Sequence, residues 1–302
     1  MTENSFSEIV EVGDVSTTSH FTNIEIVPTS GFSLLARARR YGRWWMLKGL
    51  KPDRRDSAYS MFLKKEFEIL MQLQHNNIVA ASSFEQVEGI GSCIVMEWID
   101  GITLGEWCRQ RHTVVEKMNI VWQIADALQY MHGKQIVHRD LKLSNIIVTR
   151  NGNNVKLIDF GLSDSETFCV LKIPAGTIGY MAPEQLQPGA KSDPCADIYS
   201  FGKVLEYMAE AVRSKSLARV GQKCAADECD RRPADIAQVR RLMTGKGRSL
   251  AVVNAVLVAL ALVLLVVIGV MMSSRQTAPT STPPTDSASV GAANKVVDSS
   301  LW

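Results

Sequence analysis

Residues 138–145 read HRDLKLSN, and fourteen residues after the asparagine comes DFG at residues 159–161. These segments contain two aspartates and an asparagine, Asp140, Asp159 and Asn145, whose side-chain oxygens suit two chemical tasks. A carboxylate accepts a proton from a hydroxyl group, and carboxylate and amide oxygens bind divalent cations such as Mg²⁺. We therefore expect the three side chains to converge on one site that combines a proton acceptor with metal ligands.

Further motifs lie in order on both sides of these segments. Upstream, residues 45–48 read WMLK, and Glu66 lies in EFEILMQLQHNNIV. Downstream come APE at residues 182–184, Asp197 in DIYSFGKVL, and Arg232 before a proline. Over residues 21–243 this order resembles that of the eukaryotic-type, or Hanks-type, serine/threonine protein kinases, in the membrane-anchored form found in bacteria.

The resemblance implies an α+β, bilobal protein kinase fold. A small β-rich lobe is expected from residue 21 to about residue 96, joined through residues 97–101 to a mainly helical lobe. The sequence supports this division, because residues 24–48 carry strand signals and residues 61–73 and 114–132 show helical spacing. The NGN at residues 151–153 predicts a hairpin that brings Asn145 and Asp159 to neighbouring strand ends.

The resemblance also assigns roles to residues. Lys48, paired with Glu66, would grip the phosphates of ATP, and Asp140 would accept the proton of a Ser/Thr hydroxyl on a protein substrate. The remaining assignments are charge neutralisation of the moving phosphate by Lys142, Mg²⁺ binding by Asn145 and Asp159, and nucleotide contacts by Leu35, Met46, Glu97, Ile99 and Ile147. His138 is expected to pack structurally and to do no acid–base work.

Two departures favour a rival function. Where the resemblance places three glycines over the phosphates, this chain has Pro28, Ser30 and Ser33, and only Gly31 remains nearby. Side chains at such positions restrict the close approach of backbone to phosphate. Met46 also replaces a small alanine above the adenine. The alternative is a pseudokinase scaffold that binds partners and transfers little or no phosphate.

The segment after DFG contains hydroxyl groups that a kinase can modify. Arg139 implies a positive pocket that a phosphorylated loop fills. Ser163, Ser165 and Thr167 are the candidate sites of autophosphorylation, and Thr177 is expected to bond near Asp140. Few residues separate the DIYSFGKVLEYMAE stretch from Arg232, so the helical lobe should lack the docking helix that most related kinases carry.

Residues 250–272 predict a transmembrane helix, because their only polar side chain is Asn254 and they carry no charge. A helix of this length reaches roughly 35 Å, which spans a bilayer core. Basic residues, including Arg240, Arg241 and Arg248, precede the segment, whereas only Arg275 follows closely, so the kinase side is expected to be cytoplasmic. The predicted order is a polar segment 1–20, the kinase domain 21–243, a basic linker 244–249, the span and a disordered tail 273–302.

The remaining composition bounds partners and redox state. A formal net charge of +2 gives no support to nucleic-acid binding. Six cysteines lie at positions 93, 108, 169, 195, 224 and 229, all on the side assigned to the cytosol. Thiols normally stay reduced there, so no structural disulfide is expected. Cys224 and Cys229 lack a second pair at zinc-site spacing, which favours packing over metal binding. The expected partners are therefore ATP, protein substrates, the membrane and further copies of the chain.

Overall fold

The computed structural model describes residues 20–29, 32–55, 57–161, 178–186, 193–245, 257–258 and 260–268. Its contacts divide the chain into two units, Met1–Lys246 and Gly247–Trp302, and each is considered by itself. The first unit contains two lobes of different secondary structure. A β-rich lobe precedes residue 97 and a mainly helical lobe follows it, so the predicted bilobal protein kinase fold is confirmed.

The small lobe is built on a five-stranded antiparallel sheet in the order β1-β2-β3-β5-β4. Its strands are β1 (Thr22–Val27), β2 (Ser33–Arg40), β3 (Arg43–Leu50), β4 (Ala81–Val87) and β5 (Gly91–Glu97). Alternation along β3 gives the sheet two different faces. Leu47 is buried in a small cluster with Ala36 and Val95 on one face, whereas Met46 and Lys48 lie on the other.

Helix α1 (Ser57–Leu70) packs against β3, β4 and β5 and carries Glu66. It begins and ends a few residues before the predicted 61–73. After Met71 the hydrogen bonds span three residues instead of four, from the Gln72 N–H to the Ile69 C=O and from the Leu73 N–H to the Leu70 C=O, and this tighter turn ends the helix.

The large lobe contains five helices among the described residues and a small second sheet. The helices are α2 (Leu104–Cys108), α3 (Val114–Gly133), α4 (Pro194–Val212), α5 (Lys215–Cys224) and α6 (Ile236–Thr244). The sheet has the order β6-β7-β8, with β6 (Gly101–Thr103), β7 (Ile146–Thr149) and β8 (Val155–Leu157). The hairpin predicted at residues 151–153 is confirmed, because it joins the antiparallel strands β7 and β8.

Helix α3 shows how local sequence fixes an element that positions the site. The Thr113 side chain accepts from the Glu116 N–H, and the Glu116 carboxylate accepts from the Thr113 N–H, which forms a capping box. The apolar stripe of the helix, including Ile120, Ile124 and Leu128, is fully buried. Helix α3 ends at Gly133, five residues before His138.

Helices α4 and α5 follow each other almost directly. Only Arg213 and Ser214 separate them, and Arg213 has a left-handed conformation with φ of 52°. The two helices approach closely at Gly202 and Gly221. Between α4 and Arg232 the described chain has α5 and the short turn Cys229–Arg231, and the expected lack of a docking helix stays a prediction.

The prediction that no structural disulfide forms was wrong. Cys195, at the start of α4, is bonded to Cys229, thirty-four residues later. Nothing in the local spacing of these cysteines indicates a pair, because only the return of the chain after α5 brings them together. Cys224 is a free buried thiol.

In the second unit, Leu257, Val258 and residues 260–268 are helical. Within the described parts of the chain, no helix has the length and apolar character needed to cross a bilayer. The predicted span 250–272, the linker 244–249, the tail 273–302 and the segment 1–20 lie wholly or partly outside the described residues.

Candidate active site

Lys48 lies near the end of β3, between two strands. In register it faces Leu35 of β2 and Ile94 of β5, and Met46 lies two residues earlier on the same face. The lysine is buried, at 6% exposure. A buried ammonium group needs anionic partners, because burial without them is strongly unfavourable.

Two carboxylates supply these partners. The Lys48 Nζ lies 2.6 Å from the Glu66 Oε1 and 2.8 Å from the Asp159 Oδ1. Glu66 also accepts from the Phe160 N–H at 3.1 Å, so α1 is tied to the DFG segment. One lysine thus joins β3, α1 and the loop after β8.

Burial and the neighbouring charges shift the pKa values of Lys48, Glu66 and Asp159. Burial alone would lower the pKa of Lys48, but Asp159 and Glu66 outweigh it and raise that pKa above its usual range. Burial raises the pKa of Glu66 despite the opposing charge of Lys48. The Lys48 charge lowers the pKa of Asp159 to about 2, so Asp159 is ionised at neutral pH.

Asp140, Lys142 and Asn145 form a second polar group. The Lys142 Nζ lies 2.6 Å from the Asp140 Oδ2. The Asn145 Nδ2 donates to the Asp140 backbone oxygen and to its Oδ2, both at 2.9 Å. The Asp140 Oδ1 is buried and has no hydrogen-bond partner among the described residues. Burial raises the pKa of Asp140, and the Lys142 charge opposes this shift.

The Asp197 side chain of α4 accepts hydrogen bonds from the backbone of the loop that contains Asp140. Its two carboxylate oxygens accept from the His138 and Arg139 N–H groups, each at 2.8 Å, and one also contacts the His132 ring at 2.9 Å. Arg139 has a left-handed φ of 66°, which is uncommon for a residue other than glycine. The buried Asp197 therefore stabilises a strained backbone next to Asp140.

The DFG segment is fixed in a similar way. Asp159 has φ of 67°, and its side chain is held by Lys48. His138 is fully buried with its ring centroid 4.8 Å from that of Phe160. The expected packing role of His138 agrees with its burial and its contact with Phe160.

The residues assigned to the nucleotide lie on β2, β3 and β7 and at the segment 97–101 between the lobes. Leu35 and Met46 share the sheet face of Lys48, and Met46 lies opposite Met96 in register. Ile99 packs against the main core, and Ile147 of β7 is partly buried. The Glu97 side chain points away from this region, to the Ala80 N–H at 2.9 Å and the Lys156 Nζ at 2.6 Å. The Glu97 N–H also donates to the Ala80 backbone oxygen, at 3.0 Å.

Gln185 was missed by the sequence analysis. It is buried, donates to the Arg139 backbone oxygen at 3.2 Å, and accepts from the Ala182 N–H at 3.0 Å. It thus ties the APE segment to the loop of Asp140. Its place directly after Glu184 was the only available signal.

Several predicted residues lie outside the described part of the chain. They are Ser30 and Gly31 of the expected phosphate loop, and Ser163, Ser165, Thr167 and Thr177 of the segment after DFG. The structure therefore does not test their assigned roles.

Comparisons with known proteins agree with this geometry. Residues 29–238 match the model of the protein kinase domain family. The serine/threonine-protein kinase PrkC of Bacillus subtilis is 34% identical over 155 residues, which are 50% of this chain and 24% of that protein. The probable serine/threonine-protein kinase PknB of Lactococcus lactis shows the same identity and the same shares. The chain thus spans about a quarter of the length of these relatives.

A solved structure shows the same fold. The kinase domain of PknI from Mycobacterium tuberculosis superposes with a TM-score of 0.58 at 21% identity, covering 76% of this chain and 99% of that domain. At this identity the likeness concerns the fold alone. Because the family match covers most of the chain, the chain belongs to the protein kinase family.

Proposed function

We propose that this protein is an active protein kinase that uses ATP and Mg²⁺ to phosphorylate Ser/Thr hydroxyls of protein substrates. The observation that carries the proposal is the position of Lys48, whose Nζ contacts both Glu66 and Asp159 within 2.8 Å. A lysine held in this way presents a positive charge to nucleotide phosphates beside a carboxylate that can bind their metal. The names of the relatives, which are serine/threonine kinases, support the same substrate class.

The donor set of the site fits Mg²⁺. Because the Asn145 Nδ2 donates to Asp140, the Asn145 Oδ1 is left as an oxygen ligand. Asp159 supplies an ionised carboxylate, with a pKa of about 2. Mg²⁺ prefers hard oxygen ligands and is commonly shared between one or two carboxylates and nucleotide phosphates. When bound, it would neutralise the charge that develops on the transferred phosphate.

Asp140 suits the role of proton acceptor. Its Oδ2 is held by Lys142 and Asn145, while the buried Oδ1 has no hydrogen-bond partner among the described residues and would accept the proton of a substrate hydroxyl. A raised pKa increases the basicity of this carboxylate. Lys142, 2.6 Å from Asp140, places a positive charge where the hydroxyl and the phosphate would meet.

A pseudokinase is the second candidate, and the residues over the expected phosphate site favour it. Pro28 and Ser33 stand at glycine positions, and the flexible Met46 lies on the nucleotide face of β3. These changes affect how closely the phosphates and base are held. They leave Lys48, Asp140 and Asp159 in place, and these charges contribute most to phosphoryl transfer. We therefore favour the enzyme.

Two measurements separate the candidates. Radiolabelled phosphate transfer from ATP to a generic basic protein is compared for the native chain and Asp140→Asn, and equal incorporation by both would refute the enzyme. Thermal unfolding with ATP, with and without Mg²⁺, tests nucleotide binding independently. A ligand at 100 times its Kd stabilises by about 2.7 kcal/mol, so binding produces a clear upward shift. A shift without transfer would support the scaffold.

Membrane anchoring and autophosphorylation are further parts of the proposal. The apolar residues 250–272 and the basic residues before them favour a single span with the kinase side in the cytoplasm. Extraction of the expressed chain from membranes by alkaline carbonate would contradict the anchor. Ser163, Ser165 and Thr167 are the proposed autophosphorylation sites, and mass spectrometry that finds no phosphate there in active protein would contradict them.

A further inference from the structure

The disulfide between Cys195 and Cys229 lies outside the proposed active site. Cys195 is the second residue of α4 and is buried, with 7% exposure. Cys229 is exposed and begins a short helical turn, Cys229–Arg231. The two Cα atoms are 6.0 Å apart. The bond thus joins a buried helix start to a surface turn.

Arg232 connects this bond to the APE segment. Its side chain is fully buried and contacts both carboxylate oxygens of Glu184, at 2.6 and 2.8 Å. The same guanidinium donates to the backbone oxygen of Cys195 at 3.0 Å and lies 3.1 Å from its Sγ. It also donates to the backbone oxygens of Ala226 and Asp227, each at 2.7 Å.

We propose that Cys195 and Cys229 form a reversible redox pair that fastens residues 226–232 to the start of α4 and thereby secures the Glu184–Arg232 ion pair. Oxidation covalently joins Cys229, three residues before the buried arginine, to the start of α4. Reduction leaves the arginine held by hydrogen bonds and charge alone. Gln185, next to Glu184, donates to the Arg139 backbone oxygen. Through this hydrogen bond, the redox state of the two cysteines affects the loop that contains Asp140.

The surroundings of Cys195 favour a reactive sulfur. A guanidinium 3.1 Å away and the N-terminus of the long helix α4 both stabilise a thiolate over a thiol. With a peroxide as oxidant, the exposed Cys229 thiol becomes a sulfenic acid and one water is released. The Cys195 thiolate then attacks that sulfur, the S–S bond forms, and hydroxide leaves and takes up a proton to become water.

The other described cysteines lack these features. Burial raises the pKa of Cys93 and of Cys224 to about 12, and that of Cys108 to about 11. Their thiols therefore remain protonated at neutral pH and react slowly. Oxidation should accordingly select Cys195 and Cys229 among the cysteines that the structure describes.

A metal site is the competing interpretation. The Asp193 carboxylate and the two sulfurs of Cys195 and Cys229 lie within 4.8 Å of one another. However, the Arg232 guanidinium contacts the Cys195 sulfur, and its positive charge opposes a cation at the same position. The arginine instead favours the anionic sulfur that disulfide formation requires.

The test uses the full native chain, treated with hydrogen peroxide or with dithiothreitol. Peptide mapping without reductant should show a Cys195–Cys229 link after peroxide that dithiothreitol removes. The oxidised protein should unfold at a temperature roughly 5–10 °C higher, as expected for a bond that closes a loop of this length. Cys229→Ser should abolish this difference, whereas the matched control Cys108→Ser should keep it.

Hydrogen exchange tests the link to Arg232. Reduction should speed amide exchange in residues 226–232 and 183–186 by at least about tenfold and leave α3 unchanged. Three results would overturn the proposal: thiols that stay free in peroxide, a thermal difference that persists in Cys229→Ser, or stoichiometric Zn²⁺ binding by the reduced native chain that Cys229→Ser removes. None of these measurements depends on kinase activity, so they stand apart from the proposed function.

Discussion

At the scale of single residues, Asp140 is subject to opposing forces. Burial disfavours its charge, and the nearby Lys142 favours it. Burial prevails, so the pKa of Asp140 lies above the ordinary value. The ionised carboxylate is therefore less stable in the folded chain than in the unfolded chain. At neutral pH the charge that suits proton acceptance therefore reduces stability.

We expect Asp140→Asn to separate these effects. Phosphate transfer should fall by about 10²- to 10⁴-fold, because the proton acceptor is lost. The unfolding temperature should stay the same or rise, because a buried charge with a raised pKa is removed. Asp100→Asn, at an exposed position, is the control and should change neither quantity. A lower unfolding temperature for Asp140→Asn would show that its contacts with Lys142 and Asn145 stabilise the fold.

Asp197 shows the reverse behaviour. Burial alone would raise its pKa, but the hydrogen bonds and charge of His132 and His138 outweigh this effect and lower it. The stability that Asp197 contributes is therefore complete above the ordinary aspartate pKa of about 3.9. It is lost as the pH falls below that value, through the lower pKa of the folded state.

Asp197→Asn should accordingly cost about 2–3 kcal/mol at pH 7, because one charged acceptor of two backbone N–H groups is removed. The difference in free energy of unfolding between the variant and the native chain should narrow as the pH falls to about 3, because the unfolded chain then takes up a proton at Asp197 more readily than the folded one. Chemical denaturation at pH 7 and near pH 3 measures the free energy of unfolding of each chain, with Asp53→Asn at an exposed position as control. A difference that stays constant with pH would contradict the assigned role of the charge.

At the scale of elements, the contact of α4 with α5 depends on two glycines. A Cβ on Gly202 would lie 2.7 Å from both the Ala225 nitrogen and the Cys224 Cβ, which are too close for normal contact. Gly221 faces the same helix pair, where a Cβ would lie 2.9 Å from the Glu206 nitrogen. The short interhelical distance therefore has no room for a methyl group.

Gly202→Ala should lower the free energy of unfolding by about 1–3 kcal/mol, because backbone atoms must move to accept the methyl group. The matched control is Gly133→Ala in α3, where a Cβ would meet nothing within 4 Å. That change should stabilise by about 0.5–1 kcal/mol through helix propensity. Denaturant titration measures both, and equal effects of the two substitutions would refute the close packing of α4 on α5.

Elements with local signals were predicted well, and elements formed by distant pairing were not. Residues 114–132 carry both periodicity and the Thr113 capping residue, and α3 occupies Val114–Gly133. The β7–β8 turn contains Gly152 and Asn153 at positive φ, as its sequence indicates. In contrast, the pairing of β6 with β7 and the Cys195–Cys229 bond depend on segments far apart in the chain. No periodicity within either segment reports such a partner.

The residues of the candidate site likewise differ in whether the sequence signals them. The spacing of known motifs led to Lys48, Glu66 and Asp159, which the structure brings within hydrogen-bond distance. The roles assigned to them remain predictions. The sequence does not indicate Gln185, because its role depends on burial and on its hydrogen bond to the Arg139 backbone. A polar residue type gives no sign of such burial.

At the scale of the whole kinase unit, Asn77 connects the two lobes. It lies between α1 and β4, and its Nδ2 donates to the Gln123 Oε1 at 2.7 Å and to the Val155 backbone oxygen at 3.0 Å. Its backbone oxygen accepts from the Leu157 N–H at 2.8 Å. One asparagine thus bonds to both α3 and β8 of the large lobe.

Asn77→Ala should destabilise the kinase unit by about 1–3 kcal/mol, because two partly buried acceptors lose their donor. Asn76→Ala is the matched control, since its neighbouring side chain is exposed. Guanidinium denaturation measures both variants. If the two substitutions have the same effect, the Asn77 side chain does not help to hold the lobes together.

The near-direct passage from α4 to α5 also bears on how the chain assembles. With two residues between them, these helices form a hairpin whose contacts are close in sequence. Such contacts are made faster than those that close long loops. We therefore expect this hairpin to be among the first structures to appear during refolding. The Cys195 backbone oxygen, one of the groups that accept a hydrogen bond from Arg232, would then be in place before the arginine itself arrives.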